Sequence, residues 1–198
     1  MPLDRILLPE PEVSGLMSVE TALMRRRSIR EYSDEPLSLR ELSQILWSAQ
    51  GVKEGGRRTS PSAGATYPFE IFAAVREVEE LAAGIYHYDP FEHAIRMVRR
   101  GDFSKELQRA CLNQRWVGEA SANLVLVAHY ERTTRYYGER GIRYVHMEAG
   151  HIGQNIYLQA TAMNLGTVAI GAFHDHEVAE IIGTKGSPLY VFPLGRLR

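Results

Sequence analysis

Residues Arg25-Arg26-Arg27-Ser28-Ile29-Arg30 bring four guanidinium groups and a hydroxyl into six positions. A guanidinium is a planar fork of donors that matches carboxylate and phosphate oxygens. The run closes an expected short helix, whose negative end favours cations. The same residues suit a solvated basic face, a small-anion site or a nucleic-acid patch. The last needs basic residues spread over a surface with aromatic stacking platforms, and a net charge of -1 supplies no global field for it. A second stretch, Thr59-Ser60-Pro61-Ser62-Ala63-Gly64-Ala65-Thr66-Tyr67-Pro68, is rich in small and hydroxyl residues. It reads as a surface loop or as backbone free to approach a flat ligand. Ile170-Gly171-Ala172-Phe173 repeats that property at a strand end, where a tight turn is the plainer reading. The tail carries Arg196 and Arg198, either solvated or a second pair of phosphate cations.

Other chemistries find less support. The single cysteine, Cys111, cannot form an internal disulfide, and its apolar neighbours predict a packed thiol. Glu148 and His151 make one Glu-x-x-His step, whereas a di-iron bundle needs two such steps and two further glutamates. His174 and His176 flank Asp175 without a third zinc ligand at clear spacing. No Gly-x-Gly-x-x-Gly follows a strand, residues 183–187 lack Walker spacing, and no Gly-x-Ser-x-Gly elbow occurs. No run of ~18 apolar residues spans a membrane, and residues 1–11 lack the layout of a signal peptide. The expected location is the cytoplasm.

The elements that must position these residues follow from caps and periodicity. Residues 1–17 read as an extended, proline-containing arm, and 18–198 as one domain. Ser18 caps a helix from Val19 to about Arg27. Ser38 and Glu41 form a capping box ahead of a helix stopped at Gly51. Strands are expected at 69–75, 84–89, 94–99, 122–130, 167–172 and 189–194, the second and third forming a hairpin. Residues 103–112 read as a helix. Ile142, Val145, Ala149, Ile152, Ile156, Ala160 and Met163 recur at steps of three or four, which predicts one long helix ended by Gly166. Asp175 is expected to cap a short helix that stops at Gly183. Hairpins mixed with crossovers make the class α+β.

Taken in order, the motifs resemble those of the nitroreductase superfamily, most closely its SagB-type branch of azoline (thiazole/oxazole) dehydrogenases. The resemblance runs from about Thr21 to Arg196. It rests on Arg26-Arg27-Ser28-Ile29-Arg30, Ser60-Pro61-Ser62-Ala63-Gly64, Gly84-Ile85-Tyr86-His87-Tyr88-Asp89-Pro90 and Glu148-Ala149-Gly150-His151-Ile152-Gly153-Gln154-Asn155. It implies a mainly antiparallel central sheet flanked by helices, a long central helix at a homodimer interface, and FMN bound between subunits. It implies that Arg26, Ser28 and Arg30 hold the phosphate and ribityl chain, with Arg27 nearby and Arg196 and Arg198 completing the site. Pro61, Ser62, Ala63 and Gly64 would cover the ring from the other subunit, and Gly171 and Ala172 would lie at its reactive edge. The implied activity is ping-pong hydride transfer from NAD(P)H to a nitro compound, a quinone or a similar acceptor. Azoline oxidation of a modified peptide and non-catalytic flavin binding are the alternatives. Two departures stand out. Ala65 lies near the position of a common asparagine, and Tyr136-Tyr137 stands where azoline dehydrogenases carry Lys-Tyr. A phenol base has a reference pKa near ~10. Tyr67, Tyr136, Tyr137 and His87 are candidates to line the substrate space.

Overall fold

The computed structural model describes residues 5–198. One antiparallel sheet of seven strands organises the chain, in the order β1-β4-β3-β2-β5-β7-β6. The strands are β1 (Arg5–Leu7), β2 (Phe69–Val75), β3 (Gly84–Asp89), β4 (Ala94–Arg100), β5 (Ala122–Ala128), β6 (Leu165–Thr167) and β7 (Ser187–Arg196). The helices are α1 (Val19–Arg25), α2 (Leu39–Gln50), α3 (Ser104–Ala110), α4 (Arg115–Glu119), α5 (Glu131–Tyr137), α6 (Arg140–Ala162) and α7 (Asp175–Ile182).

Period-two alternation in the central strands builds two cores. Ile71, Ala73, Leu124 and Leu126 face α2 and α6, where Leu42, Ile45, Leu46, Ile152 and Ile156 are buried. Phe72, Ala74, Val125 and Val127 face the opposite way, onto Leu107, Cys111, Val117, Val178 and Ile182 from α3, α4 and α7. The sheet is therefore covered on both faces, with the long helix α6 against its centre. Cys111 is a buried core residue, and burial pushes its thiol up to about 12.

Several boundaries differ from expectation. The extended amino-terminal arm is tied to the domain: Arg5–Leu7 adds an edge strand to β4, and Glu12 exchanges backbone hydrogen bonds with the Gln44 side chain of α2. Its first four residues lie outside the described ones. Ser18 caps α1 as expected, accepting from the Thr21 amide, but the helix stops at Arg25. The Ser38–Glu41 capping box is formed in full. Helix α6 ends before Gly166, with Asn164 taking the left-handed conformation at φ 55°. Gly166 instead sits in β6 directly across from Gly195 of β7. An added Cβ on either would fall within 3.0 Å of the Tyr32 ring. The glycine pair is thus a socket for that buried tyrosine.

The expected strand 167–172 is present only in part. It pairs regularly to Thr167 and then by one bridge from Ile170 to Val191. Between them the Ala169 amide turns away to the Tyr157 hydroxyl, 2.8 Å distant. Asp175 does not cap α7; it occupies the first turn, after His174.

Candidate functional site

The arginine segment leaves α1 at Arg26, whose φ -54° and ψ 124° take the chain out of the helix. Three contacts pin it. The Tyr32 ring fills the Gly166–Gly195 socket, its hydroxyl donates to the Ile29 carbonyl at 3.1 Å, and the Ile29 amide donates to the Thr167 carbonyl at 2.9 Å. The side chains of this anchored segment go to two different surroundings. Arg25, Arg27 and Ile29 line one depression, together with Thr161, Asn164, Leu165 and Leu197. Arg26, Ser28 and Arg30 make separate contacts to Tyr157 and Trp116. Arg27 is thereby separated from the trio with which the sequence grouped it.

The trio is held by aromatic groups, not by acids. The Arg26 guanidinium lies 5.0 Å from the centroid of the Tyr157 ring, and that of Arg30 lies 5.5 Å from Trp116 of α4. Such stacking orients a guanidinium while leaving its N–H fork available. Among the described residues neither guanidinium meets a carboxylate. Ser28 is exposed, and its hydroxyl lies 2.9 Å from that of Tyr157. Tyr157 in turn accepts from the Ala169 amide, two residues before Gly171. Gly171 and Ala172 are both exposed. The Ala172 carbonyl is held by Gln114 at 3.1 Å. Arg26, the Ser28 hydroxyl and the backbone leading to the small residues Gly171 and Ala172 thus meet at Tyr157, and Arg30 follows Ser28 by two residues. This donor set fits a phosphate ester attached to a flat group.

Arg196 and Arg198 have other tasks. Arg196 donates to the Pro36 carbonyl at 2.9 Å and to the Glu41 carboxylate at 3.0 Å, and Arg198 donates to the Tyr32 carbonyl at 2.8 Å. Glu41 is the carboxylate of the α2 capping box. These two arginines tie the last strand to that helix start and to the anchor residue. These bonds engage Arg196 through Nε and one terminal nitrogen and Arg198 through Nε alone.

The loop 60–66 packs on α5 and α6. Ser60 is buried, donating to the Ala49 carbonyl and accepting from Asn155. Pro61 and Gly64 are exposed, Ala63 is half-buried, and Ser62 accepts from the Tyr67 amide. Gly64 has φ 58°, and an added Cβ would lie 2.7 Å from the Tyr137 hydroxyl. Tyr137 therefore belongs to this loop's surroundings, also standing edge-on to Tyr144. Tyr136 points elsewhere, exposed beneath Arg135. Tyr67 carries the Arg58 guanidinium over its ring at 4.5 Å. His87 sits 3.4 Å from Glu70, whose carboxyl is held down to about 2 by His87, Arg132 and His129 despite partial burial.

Beneath the loop lies Glu148 of α6, buried and bonded by Gln50 and Ser62. Burial raises its carboxyl to about 7, partly offset by those two bonds and by Arg58. His151 of the same Glu-x-x-His step is exposed. Sequence reasoning missed Tyr157, Trp116, Gln114 and Arg58. Only the hydroxyl at the tip of Tyr157, beside an apolar stripe, hinted at a polar contact.

A family comparison matches residues 23–196 to the nitroreductase family. The chain belongs to the nitroreductase family. A nitroreductase-family protein of Methanocaldococcus jannaschii is 50% identical over 194 residues, covering 98% of both chains. A solved nitroreductase-family structure from Anabaena variabilis superposes with a TM-score of 0.87 at 33% identity, covering 99% of this chain and 42% of that one. The microcin B17-processing protein McbC of Escherichia coli is 30% identical over 152 residues, 73% of this chain and 56% of its own length. That last likeness agrees with the SagB-type resemblance of the motifs. The nitroreductase-family chain is a flavin-dependent oxidoreductase, and among its described residues no helix is long and apolar enough to cross a membrane.

Proposed function

We propose that the protein binds FMN as a homodimer. The phosphate lies against Arg26, Ser28 and Arg30, the reactive edge of the ring lies at Gly171 and Ala172, and the Pro61–Gly64 loop of the partner subunit covers the ring. The observation that carries this reading is the pair of guanidiniums without acid partners, Arg30 on Trp116 and Arg26 on Tyr157, whose hydroxyl also meets Ser28 and the Ala169 amide two residues before the exposed Gly171. Bound there, the flavin supplies hydride transfer from NAD(P)H to a small electrophile such as a nitro compound or quinone, in ping-pong order. The chain's residues place it: arginines neutralise the phosphate, and the small residues let the backbone reach the ring edge. The dimer reading is supported by apolar side chains left open on α1 and α6, namely Val19, Leu23, Met24 and Met147. Alongside them a groove of about 300 Å³ runs between Val19, Trp47 and Leu158.

The test is to purify the protein, record its visible spectrum, identify any released cofactor, and mix anaerobically with NADH and NADPH. A yellow dimer that is bleached by one donor and turns over a quinone supports the reading. A colourless monomer that refuses added FMN overturns it, and bound FMN that neither donor reduces supports a binding protein. The likeness to McbC favours a second reading, oxidation of an azoline in a modified peptide. Here Tyr137, at the covering loop, is the phenol to test. Loss of peptide oxidation in Tyr137→Phe, with FMN retained, would select it.

A further inference from the structure

Tyr157 occupies a position that neither the arginine motif nor the small-residue strand end explains by itself. Its ring stands edge-on to Phe192 at 5.9 Å and supports Arg26 on one face. Its hydroxyl has two partners, the Ala169 amide at 2.8 Å and the Ser28 hydroxyl at 2.9 Å. The directions of these bonds follow from the donor inventory. A backbone N–H only donates, so the Tyr157 oxygen accepts from Ala169. A phosphate oxygen beside Ser28 only accepts, so the single Ser28 proton must turn toward it. The Ser28 oxygen is then left as the acceptor for the single Tyr157 proton. All three bonds run one way, from Ala169 to Tyr157 to Ser28 to the anion, and aligned hydrogen bonds strengthen one another.

Resting on the FMN reading above, we infer that Tyr157 is a positioning residue that commits the Ser28 hydroxyl as a donor to the phosphate. It also ties phosphate binding to the backbone two residues before Gly171. Arg26 and Arg30 supply charge, which tolerates displacement. The relay supplies direction, which depends on the Tyr157 hydroxyl alone. Tyr157→Phe keeps the ring that carries Arg26 and removes only the relay. Ser28→Ala removes its last donor at an exposed position that the core does not need.

The test is a fluorescence titration of FMN and riboflavin into apo wild type, Tyr157→Phe, Ser28→Ala and the double variant, with the melting temperature of each apo protein measured in parallel. Each single variant is expected to bind FMN about tenfold more weakly, the equivalent of ~1.4 kcal/mol. The double variant should be no weaker than either single, because one relay is lost only once. Riboflavin, which lacks the phosphate, should bind all four alike. Equal weakening of FMN and riboflavin, additive losses, or unchanged FMN affinity in Tyr157→Phe would each overturn the relay. If Tyr157→Phe fails to melt cooperatively, Ser28→Ala decides alone: unchanged FMN affinity there removes the relay's endpoint. A wild type that binds neither flavin refutes the underlying FMN reading instead.

Discussion

Two pairs of arginines in this chain share a chemistry and differ in use. Arg26 and Arg30 rest on aromatic rings with no carboxylate beside them, on a segment pinned by Tyr32. Arg196 and Arg198 donate to Glu41 and to the Pro36 and Tyr32 carbonyls. A guanidinium bonded to the fold through Nε, as in both of these, helps hold the fold together; one propped on a ring keeps its whole fork for a ligand. The comparison teaches that charge near a sequence motif is not itself a site. What counts is whether the protein has left that charge unanswered. The two pairs also meet at Tyr32, since the tyrosine that anchors the first lends its carbonyl to the second.

The largest effect should come from removing the unanswered pair. Arg26→Ala with Arg30→Ala deletes two charge-assisted contacts of ~1.5–3 kcal/mol each. FMN binding is expected to weaken by at least ~100-fold, with the apo melting temperature unchanged. Full flavin retention after desalting would erase the distinction between the pairs. Arg196→Ala should do the reverse. It strips a half-buried pair from the Glu41 capping carboxylate, and urea unfolding should show a loss of about 2 kcal/mol, with FMN affinity intact. A variant of full stability that loses FMN would invert the comparison.

An effect of pH sharpens it from the acid side. Glu41 has its arginine, whereas Glu148 is buried with only Gln50 and Ser62 bonded to it and Arg58 nearby. The fold keeps Glu148 neutral to about 7, while the unfolded chain ionises it near the ordinary 4.5. Its contribution therefore erodes as pH rises from about 4.5 to about 7 and does not return above that. Glu148→Gln should stabilise the protein at pH 8 by about 3 kcal/mol and leave it unchanged near pH 4. Equal effects at both pH values, read from urea curves, would contradict a neutral buried carboxyl.

Much of the fold was legible because its signals are local. Short apolar runs in 69–75 and 122–130 announced buried strands, and the three-and-four spacing from Ile142 to Met163 announced α6. Helices α4 and α5 were not legible. They span five and seven residues, lack a side-chain cap bond, and are held by tertiary contacts. Gly166 was misread as a helix stop because its partner across the sheet, Gly195, and the ring they seat, Tyr32, are remote in sequence. The same holds for the site. Arg26, Ser28 and Arg30 form a recognisable motif, but Tyr157 lies 129 residues from Ser28, and only folding joins them. The diversion of Arg196 to Glu41 spans 155 residues and leaves no local trace.

The most direct measurement is a crystal structure of the protein soaked with FMN. The phosphate is expected between the Arg26 and Arg30 guanidiniums, accepting from the Ser28 hydroxyl. A phosphate seated instead in the Arg25–Arg27 depression, or against Arg196 after displacing Glu41, would contradict it.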